Sequence, residues 1–339
     1  MGKNNVSIKK IAELSGVSVA TVSRVINDNG RFSEDTRKKV LKVIEDTNYQ
    51  MNTVAKSLRM NKSHTIGILV PDISNSFFSS VVQELEFILF EAGYATIICN
   101  TARNQEKEEA YIKMLTSKMV DGLIVISGFS TFDTKDITND IPVICIDRKP
   151  NNQRNSVVVE SDHYLGGYLA AKELVDKGTR NNAIIIHRGF LSSSKDRLAG
   201  FKAALAEANL PFNQNHIIDL GNETVPSRRD LAKNLLLEKL KNGNKIDGVF
   251  AINDRLAIGA IEAAKEFNLK IPTEIKIVGF DNDLMSEYYQ PSLSTIKHDI
   301  PLLVKTASNY LLTMLANKSV YETGIHKIIP VEIIKRETT

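Results

Sequence analysis

The first fifty residues contain three short stretches in which apolar side chains recur at helical spacing. The first covers residues 8–14 and stops at Gly16, the second opens after Ser18, and the third opens after Ser33. Serine caps helix N-termini well, and glycine ends helices because it adopts left-handed backbone easily. The pattern therefore predicts a compact three-helix unit whose first two helices are joined by a short glycine-containing turn.

From His64 onward the pattern changes to short apolar runs that alternate with amphipathic helical stretches. Such alternation is typical of parallel sheets covered by helices on both faces. Eight runs exceed what one open sheet of this kind needs, so we expect two lobes with a ligand in the cleft between them. The runs are residues 65–70, 96–99, 122–126, 143–146, 157–159, 183–186, 248–252 and 275–278.

Composition places the chain among ordinary globular proteins. Its 339 residues are 42% apolar and 24% charged, and the longest apolar runs fall well short of a membrane span. The N-terminus carries no apolar segment of an export signal, so we expect a cytoplasmic protein. Cys99 and Cys145 each lie within an apolar run, which favours reduced core residues over a redox or metal role.

The formal net charge of +3 is unevenly distributed. Residues 1–62 hold twelve Lys and Arg against six Asp and Glu, and the remaining residues carry a net charge of −3. A basic module on a mildly acidic body indicates a phosphate-facing segment, although a basic solvated face would have the same composition.

The second predicted helix has the features of a DNA-reading helix. Its core positions are Val22, Val25 and Ile26, and the opposite side faces solvent. Arginine there can pair with guanine, small apolar side chains can meet a thymine methyl, and hydroxyl or amide groups can bind phosphates. The alternative is a packing module with an exposed arginine. The candidate DNA contacts are Ser18, Val19, Ala20, Thr21, Ser23, Arg24 and Asn27.

Residues 8–27, from Ile-Lys-Lys-Ile-Ala to Arg-Val-Ile-Asn, closely resemble the headpiece of the LacI/GalR family of transcriptional regulators. The resemblance continues through Tyr49 and residues 52–58, which look like the hinge helix of that family. It implies that hinge helices of two subunits pair in the minor groove, with Asn52, Ala55 and Leu58 as DNA contacts. Met51 departs from the family, which usually has proline there.

Physical reasoning supports a switch in this hinge segment, residues 51–62. A helix over residues 52–59 is shorter than the roughly 12–15 residues that an isolated helix needs, so it should order only against a partner or DNA. Val54 and Leu58 form one apolar edge suited to a symmetric mate, and an inserted leucine kinks the duplex. A plain linker is the alternative.

Polar and aromatic residues directly follow several of the predicted strands, where open sheets place their ligands. Aromatic rings together with Asn, Asp and Arg side chains suit a polyhydroxylated ring. Each residue also has a structural explanation, as a core ring, a surface ion pair or a helix cap. The segments resemble the sugar-binding positions of ribose-type periplasmic binding proteins, which implies contacts from Asn75, Phe77, Phe78, Asp147, Arg148, Asp162, Arg197, Asn253, Asp281 and His298.

Two positions near the predicted ligand site depart from that pattern. Relatives often place an aromatic side chain near Gly221 and Asn222, whereas this chain has none there and no tryptophan at all. His298 stands where the ribose-type proteins have glutamine. The sequence therefore predicts a mono- or small oligosaccharide but leaves open which sugar it is, and whether it induces or co-represses.

The combined prediction is a sugar-controlled repressor of an operon for carbohydrate use. It binds double-stranded operator DNA as a homodimer and needs no cofactor. The chain ends without the apolar heptads that tetramerise the lactose repressor, which favours a dimer. An enzyme is disfavoured because the sequence has no P-loop, no Gly-x-Ser-x-Gly and no metal-spaced His or Cys cluster. A sugar carrier would need an export signal, whereas a regulator that docks a phosphocarrier co-regulator stays open.

The expected fold class is α/β, with an all-α helix-turn-helix headpiece before a two-lobed, doubly wound parallel-sheet domain. The expected boundaries are 1–50 for the headpiece, 51–62 for the hinge segment and 63–339 for the effector and dimerisation domain. Within that domain we assign residues 63–160 and 292–322 to the first lobe, and residues 161–291 and 323–339 to the second.

Overall fold

The computed structural model describes residues 6–49, 62–127, 137, 141–151, 155–187, 192–221, 227–317 and 324–339. The chain divides into two compact units, Met1–Ser63 and His64–Thr339. Asn52, Ala55 and Leu58, the predicted DNA contacts of the hinge segment, lie outside the described residues.

The first unit is built from helices α1 (Ile8–Ser15), α2 (Val19–Ile26) and α3 (Glu34–Asp46). A serine precedes each helix, and its side chain accepts a hydrogen bond from the backbone N–H three residues later. Helix α1 ends at Gly16, whose φ of 67° is left-handed. The small core consists of Ile11, Ala12, Val22, Val25 and Val40. The predicted helix-turn-helix headpiece is confirmed.

The first lobe of the second unit contains a parallel sheet with strand order β11-β5-β4-β3-β1-β2. Its core strands are buried along most of their length, as strands covered on both faces should be. The strands are β1 (Thr65–Val70), β2 (Ala95–Asn100), β3 (Gly122–Ile126), β4 (Val143–Ile146), β5 (Ser156–Ser161) and β11 (Ile325–Ile329), and the helices are α4 (Ser76–Glu91), α5 (Gln105–Ser117) and α11 (Ile300–Asn317).

The second lobe repeats this architecture with strand order β12-β10-β9-β8-β6-β7, in which β12 alone runs antiparallel to its neighbour within the described part of the sheet. The strands are β6 (Asn182–Ile186), β7 (Ile217–Asp219), β8 (Gly248–Ala251), β9 (Lys276–Asp281), β10 (Ser294–His298) and β12 (Val331–Ile334). The helices are α6 (His163–Asp176), α7 (Ser192–Glu207), α8 (Arg228–Lys241), α9 (Asp254–Glu266) and α10 (Leu284–Tyr288).

The chain passes between the lobes three times, after β5, after β10 and after β11. Strand β10 lies in the second lobe and β11 in the first, whereas the boundaries predicted from the sequence put β10 in the first lobe and β11 in the second. The chain crosses to the other lobe directly after each of these strands. The polar side chains within both strands kept these crossing points from being recognised in the sequence. All three passages lie at the cleft, so they bring polar chain segments to the ligand side of both sheets.

Two glycines bring helices α6 and α7 into close contact. A methyl group on Gly167 would overlap the backbone carbonyl of Arg197, and one on Gly200 would overlap the carbonyl of Tyr164. The helices can approach this closely only because both positions lack a side chain. The contact fixes the part of α7 that carries Arg197 and so aims this side chain at the cleft.

The buried strands of both lobes supply the core, and the two cysteines belong to it. Cys99 and Cys145 are buried free thiols. Burial raises the pKa of Cys145 to about 12, which makes this thiol unreactive at neutral pH. Among the helices that the structure describes, none is long and apolar enough to cross a membrane.

Candidate DNA-binding helix and effector cleft

Helix α2 presents a mixed apolar and basic surface to solvent. Val22 and Val25 point into the headpiece core, and this orientation leaves Val19, Ala20 and Arg24 exposed. The polar residues around them are partly held by local hydrogen bonds. Ser18 Oγ lies 2.9 Å from Thr21 Oγ1, and Asn27 Nδ2 donates to the carbonyl of Ser23 at 2.7 Å. The predicted contacts thus share one accessible surface, as a helix that enters the major groove requires.

The predicted effector residues gather at the carboxyl ends of the strands, on both sides of the cleft. Asn75 follows β1, Asp147 and Arg148 follow β4, and Asp162 follows β5. In the second lobe Asn253 follows β8, and Asp281 and His298 end β9 and β10. Arg197 reaches the same region from α7. This is where open parallel sheets bind their ligands.

A buried polar chain joins the lobes in the middle of the cleft. His163 Nε2 lies 3.1 Å from Asp147 Oδ1, and the other ring nitrogen of His163 lies 3.3 Å from Arg197 Nη2. Arg197 Nη1 donates to the carbonyl of Ile252, and its guanidinium lies 3.5 Å from the ring centroid of Phe280. A cation on an aromatic face is favoured most strongly where water is excluded.

A second contact between the lobes is centred on His298. Its ring stacks on Phe77 with centroids 4.2 Å apart. Nδ1 lies 2.7 Å from the hydroxyl of Ser161, and Nε2 lies 3.3 Å from Asp281 Oδ1. Phe78 packs edge-on against Phe77 at 5.4 Å. The aromatic and polar residues predicted from the sequence are therefore brought together here.

Three of the predicted ligand contacts also cap helices. The side-chain oxygens of Asn75, Asp162 and Asn253 accept hydrogen bonds from backbone N–H groups at the starts of α4, α6 and α9. Capping occupies one oxygen of each side chain and holds it at the cleft edge. The remaining amide or carboxylate atoms are the ones that a ligand could use.

Arg148 has a structural partner that the sequence did not reveal. Its two terminal nitrogens each lie 2.9 Å from a carboxylate oxygen of Glu108, which belongs to α5 in the same lobe. Both residues are buried, and paired buried charges are costly to separate. The geometry therefore favours an ion pair inside the first lobe over the predicted contact with the ligand.

Electrostatics divide the carboxylates of the cleft into two kinds. Burial acts to raise the pKa of Asp147, but the attraction and hydrogen bond of His163, the charge of His298 and the N–H of Ser161 outweigh it and lower the pKa to about 2. Asp254 behaves oppositely, since burial and the nearby charge of Asp281 raise its pKa well above the usual range.

His163, Asp254 and Phe280 were not among the residues predicted from the sequence. Asp254 accepts hydrogen bonds from the hydroxyl of Thr295 at 2.5 Å and from the N–H of Asp283 at 2.7 Å, and so supports the loop after β9. In the sequence, the three residues that were missed lie directly beside the predicted residues Asp162, Asn253 and Asp281, and this adjacency was the available signal. Among the described residues, no group of His, Cys, Asp and Glu side chains could hold a metal ion.

Comparisons with known proteins agree with this architecture. The model described as "Bacterial regulatory proteins, lacI family" matches residues 7–52, and the one described as "Periplasmic binding protein-like domain" matches residues 171–339. The HTH-type transcriptional repressor PurR of Vibrio parahaemolyticus serotype O3:K6 is 34% identical over 335 residues, which is 98% of each chain. The chain belongs to the LacI family. This LacI-family protein is a DNA-binding transcriptional repressor and not an enzyme.

Solved structures of the LacI family show the same fold. The Lac repressor dimer bound to operator and the anti-inducer ONPF is 26% identical, with a TM-score of 0.84 over 99% of both chains. A LacI-family transcriptional regulator from Enterococcus faecium with bound ribose is 32% identical. Its TM-score is 0.68, and the match covers 81% of this chain and 98% of that one. The headpiece and both parallel-sheet lobes are thus those of the family.

Proposed function

We propose that a sugar bound in the cleft controls the affinity of this repressor for its operator, and that the repressed genes serve carbohydrate use. The observation that carries this proposal is the setting of Arg197, a buried guanidinium held between the Phe280 ring and His163. Guanidinium groups form strong hydrogen bonds with hydroxyl groups, and aromatic rings pack well against the C–H faces of a sugar ring. The bound ribose of the Enterococcus faecium relative supports this assignment.

A sugar bound in the cleft would alter the contacts between the two lobes. Asp147 with His163, and Phe77 with His298, each join a residue of the first lobe to one of the second. Lys149 and Asp196 add a more exposed ion pair at 3.4 Å. A ligand that inserts among these pairs must replace or tighten them, and so favours one angle between the lobes. Only such differential contacts can shift a conformational equilibrium.

Operator binding is assigned to the headpiece. We infer that helix α2 enters the major groove, with Arg24 reading a guanine and with Val19 and Ala20 against a thymine methyl. The exposed positions of these three side chains support this role. Ser18, Thr21, Ser23 and Asn27 would then lie near the phosphates.

A homodimer is the expected binding unit, because two headpieces would read two half-sites of a pseudo-palindromic operator. The second unit has exposed apolar side chains on both lobes that a second copy could cover. Phe87 and Phe90 of α4 are 66% and 68% exposed, and Leu284 and Tyr288 of α10 are 66% and 67% exposed. Large exposed apolar residues of this kind mark contact surfaces.

The hinge segment stays as the sequence predicts it. Asn52, Ala55 and Leu58 would contact the minor groove in a helix that pairs with its copy, and the lobe angle would favour or oppose this pairing. Docking of a phosphocarrier co-regulator likewise stays a prediction of the sequence, to which the described contacts add nothing.

The proposal is tested by removing side chains that would bind ring hydroxyls. The melting temperature and operator affinity of the full chain are measured with a panel of sugars and sugar phosphates, since a ligand selective for the folded state raises stability. Arg197→Ala and Asp281→Ala should lose the response to sugar and keep operator binding. Asp176→Ala, which removes an exposed carboxylate paired with Lys172 on the surface of α6, is the control. A normal sugar response in both cleft variants would contradict the proposal.

A further inference from the structure

Three arginines and a histidine that are absent from the predicted sugar site gather at one side of the cleft. Arg103 lies beyond the end of β2 in the first lobe. The others belong to the second lobe, where His187 follows β6, Arg228 begins α8 and Arg255 lies in the first turn of α9. These positions are again at the ligand-binding ends of the two sheets.

The contacts of these four side chains place them at the cleft. Arg228 Nη1 lies 2.8 Å from Nδ1 and 3.0 Å from Nε2 of His187. The Arg255 guanidinium donates to the carbonyl of Ser74 in the opposite lobe. The guanidinium carbon of Arg103 lies 5.9 Å from the ring centroid of Phe78, one of the aromatic residues of the predicted sugar site. The arginines therefore continue the sugar site rather than forming a separate surface.

The arginines of this cluster are close enough for their like charges to act on one another, and the nearby carboxylates are Asp72, Asp281 and Asp219. Burial lowers the pKa of Arg103, and the like charge of Arg228 and, more weakly, of Arg255 lowers it further. Asp72 and Asp281 act in the other direction, and both are already engaged. Asp72 accepts hydrogen bonds from the N–H and hydroxyl of Ser74, while Asp281 lies 3.3 Å from His298 Nε2.

His187 adds hydrogen-bonding capacity without adding charge. Burial lowers its pKa to about 4, with Arg228 and Arg103 as the next causes, so the ring is neutral at pH 7. Guanidinium groups that face one another in a partly desolvated site repel each other, and a bound dianion would offset this repulsion. Arginine forks match the oxygen geometry of phosphate better than any other side chain.

We propose that the effector of this repressor is a phosphorylated sugar, whose phosphate is bound between the lobes by Arg103 and Arg228 with Arg255 as a third cation. This inference rests on the proposed sugar site and names the chemical class of its ligand. A phosphate carries about two negative charges at neutral pH, which suits three arginines better than a carboxylate does. Because Arg103 and Arg228 come from opposite lobes, the phosphate also links ligand binding to lobe closure.

The test uses the full chain and three probes: ribose, ribose 5-phosphate and inorganic phosphate. Binding is measured by calorimetry and melting temperature at constant ionic strength for the parent, Arg103→Gln and Arg228→Gln. The matched control is Arg229→Gln, because Arg229 is the next residue of α8, is exposed and pairs with Asp230 outside the cleft. Circular dichroism establishes that each variant is folded.

We expect the parent to bind ribose 5-phosphate at least tenfold more tightly than ribose, and inorganic phosphate to raise its melting temperature. Both cleft variants should lose these two effects, and Arg229→Gln should keep them. The inference is overturned if phosphate affects all four proteins alike, if it affects none of them, or if ribose binds as tightly as its phosphate. Operator affinity is measured with the same ligands, because failure of the sugar-response proposal would appear as ligands that bind without any change in operator affinity.

Discussion

The guanidinium of Arg197 lies 3.5 Å from the centroid of the Phe280 ring, at the point where the two lobes meet. Phe280 is itself fully buried at the carboxyl end of β9, and Arg197 donates to the carbonyl of Ile252 after β8. Groups of the protein itself therefore hold the arginine in position at the cleft. A preorganised polar group loses little conformational entropy on binding, which favours affinity.

Replacing this ring should weaken sugar binding more than it weakens the fold. Phe280→Leu keeps an apolar side chain but removes the face under the cation, a contact worth roughly 0.5–2 kcal/mol. We expect affinity for ribose or ribose 5-phosphate to fall about tenfold. Phe250→Leu, in the core of the same lobe and equally buried, is the control and should lose stability without losing affinity. Equal affinities for the two variants would show that the ring only packs.

Arg24 provides the corresponding test in the headpiece. Arg24→Ala should weaken specific operator binding by roughly 1–3 kcal/mol and relax discrimination at one base pair of each half-site. Lys42→Ala removes one positive charge from the exposed face of α3 and should lower affinity for all sequences alike. Binding to operators with single base changes distinguishes the two effects. A uniform loss in Arg24→Ala would make Arg24 a phosphate contact.

The sequence predicted the fold well wherever strands were central and apolar. Its eight apolar runs became β1 to β6, β8 and β9. The strands it missed are β7, which has three residues, the edge strands β11 and β12, and β10, which begins with Ser294 and Thr295. The edge strand β2 was found because residues 96–99 are mostly apolar, whereas β11 and β12 are interrupted by charged or polar residues. The polar groups of β10 are satisfied by distant residues, such as Asp254 for Thr295. Hydrophobic pattern alone cannot find such strands.

The candidate site was predicted in location but not in pairing. A residue that follows a strand can be assigned to the cleft from the sequence, as it was for Asp147 and Asp281. The residue with which it pairs cannot be assigned in this way. Asp147 contacts His163 of the opposite lobe, and Arg148 contacts Glu108, which lies forty positions earlier in the chain. The arginine cluster was missed for the same reason, since Arg103 and Arg228 become neighbours only in the folded chain.

Asp147 should make stability depend on pH in the acid range. Its pKa of about 2 in the folded chain lies below the value of about 3.9 expected after unfolding. A lowered carboxylate pKa stabilises the fold above pH 4, and this contribution disappears as the pH falls towards 2. It amounts to something on the order of 2 kcal/mol. The free energy of unfolding is measured with denaturant between pH 2 and pH 6. It should change less steeply with pH for Asp147→Asn than for the parent.

Asp176→Asn is the control for that experiment. Asp176 is an exposed carboxylate that pairs with Lys172 on the surface of α6 at 3.3 Å. Exposed pairs contribute little to stability, so this variant should follow the pH dependence of the parent. If Asp147→Asn does the same, the interaction between Asp147 and His163 does not stabilise the fold.

Leu58 tests the hinge segment. Leu58→Ala keeps helix propensity but removes the side chain that would wedge into the duplex, so operator affinity should fall while non-specific binding persists. Ala55→Gly should instead weaken the helix itself, by about 1 kcal/mol in each subunit. Amide exchange across residues 52–60 with and without operator is the measurement. Protection that is already present without DNA would contradict a hinge that orders on the operator.

The central claim is that one equilibrium couples the cleft to the operator, and reciprocity tests it most directly. The affinity of the full chain for ribose and for ribose 5-phosphate is measured with and without saturating operator, and operator affinity is measured with and without the same ligands. The two changes must be equal in size, because coupling between binding sites is mutual. We predict equal factors of fivefold or more, lost together in Arg197→Ala, within the ~5–150-fold range typical of such coupling. Sugar affinity that is unchanged by operator would contradict the account.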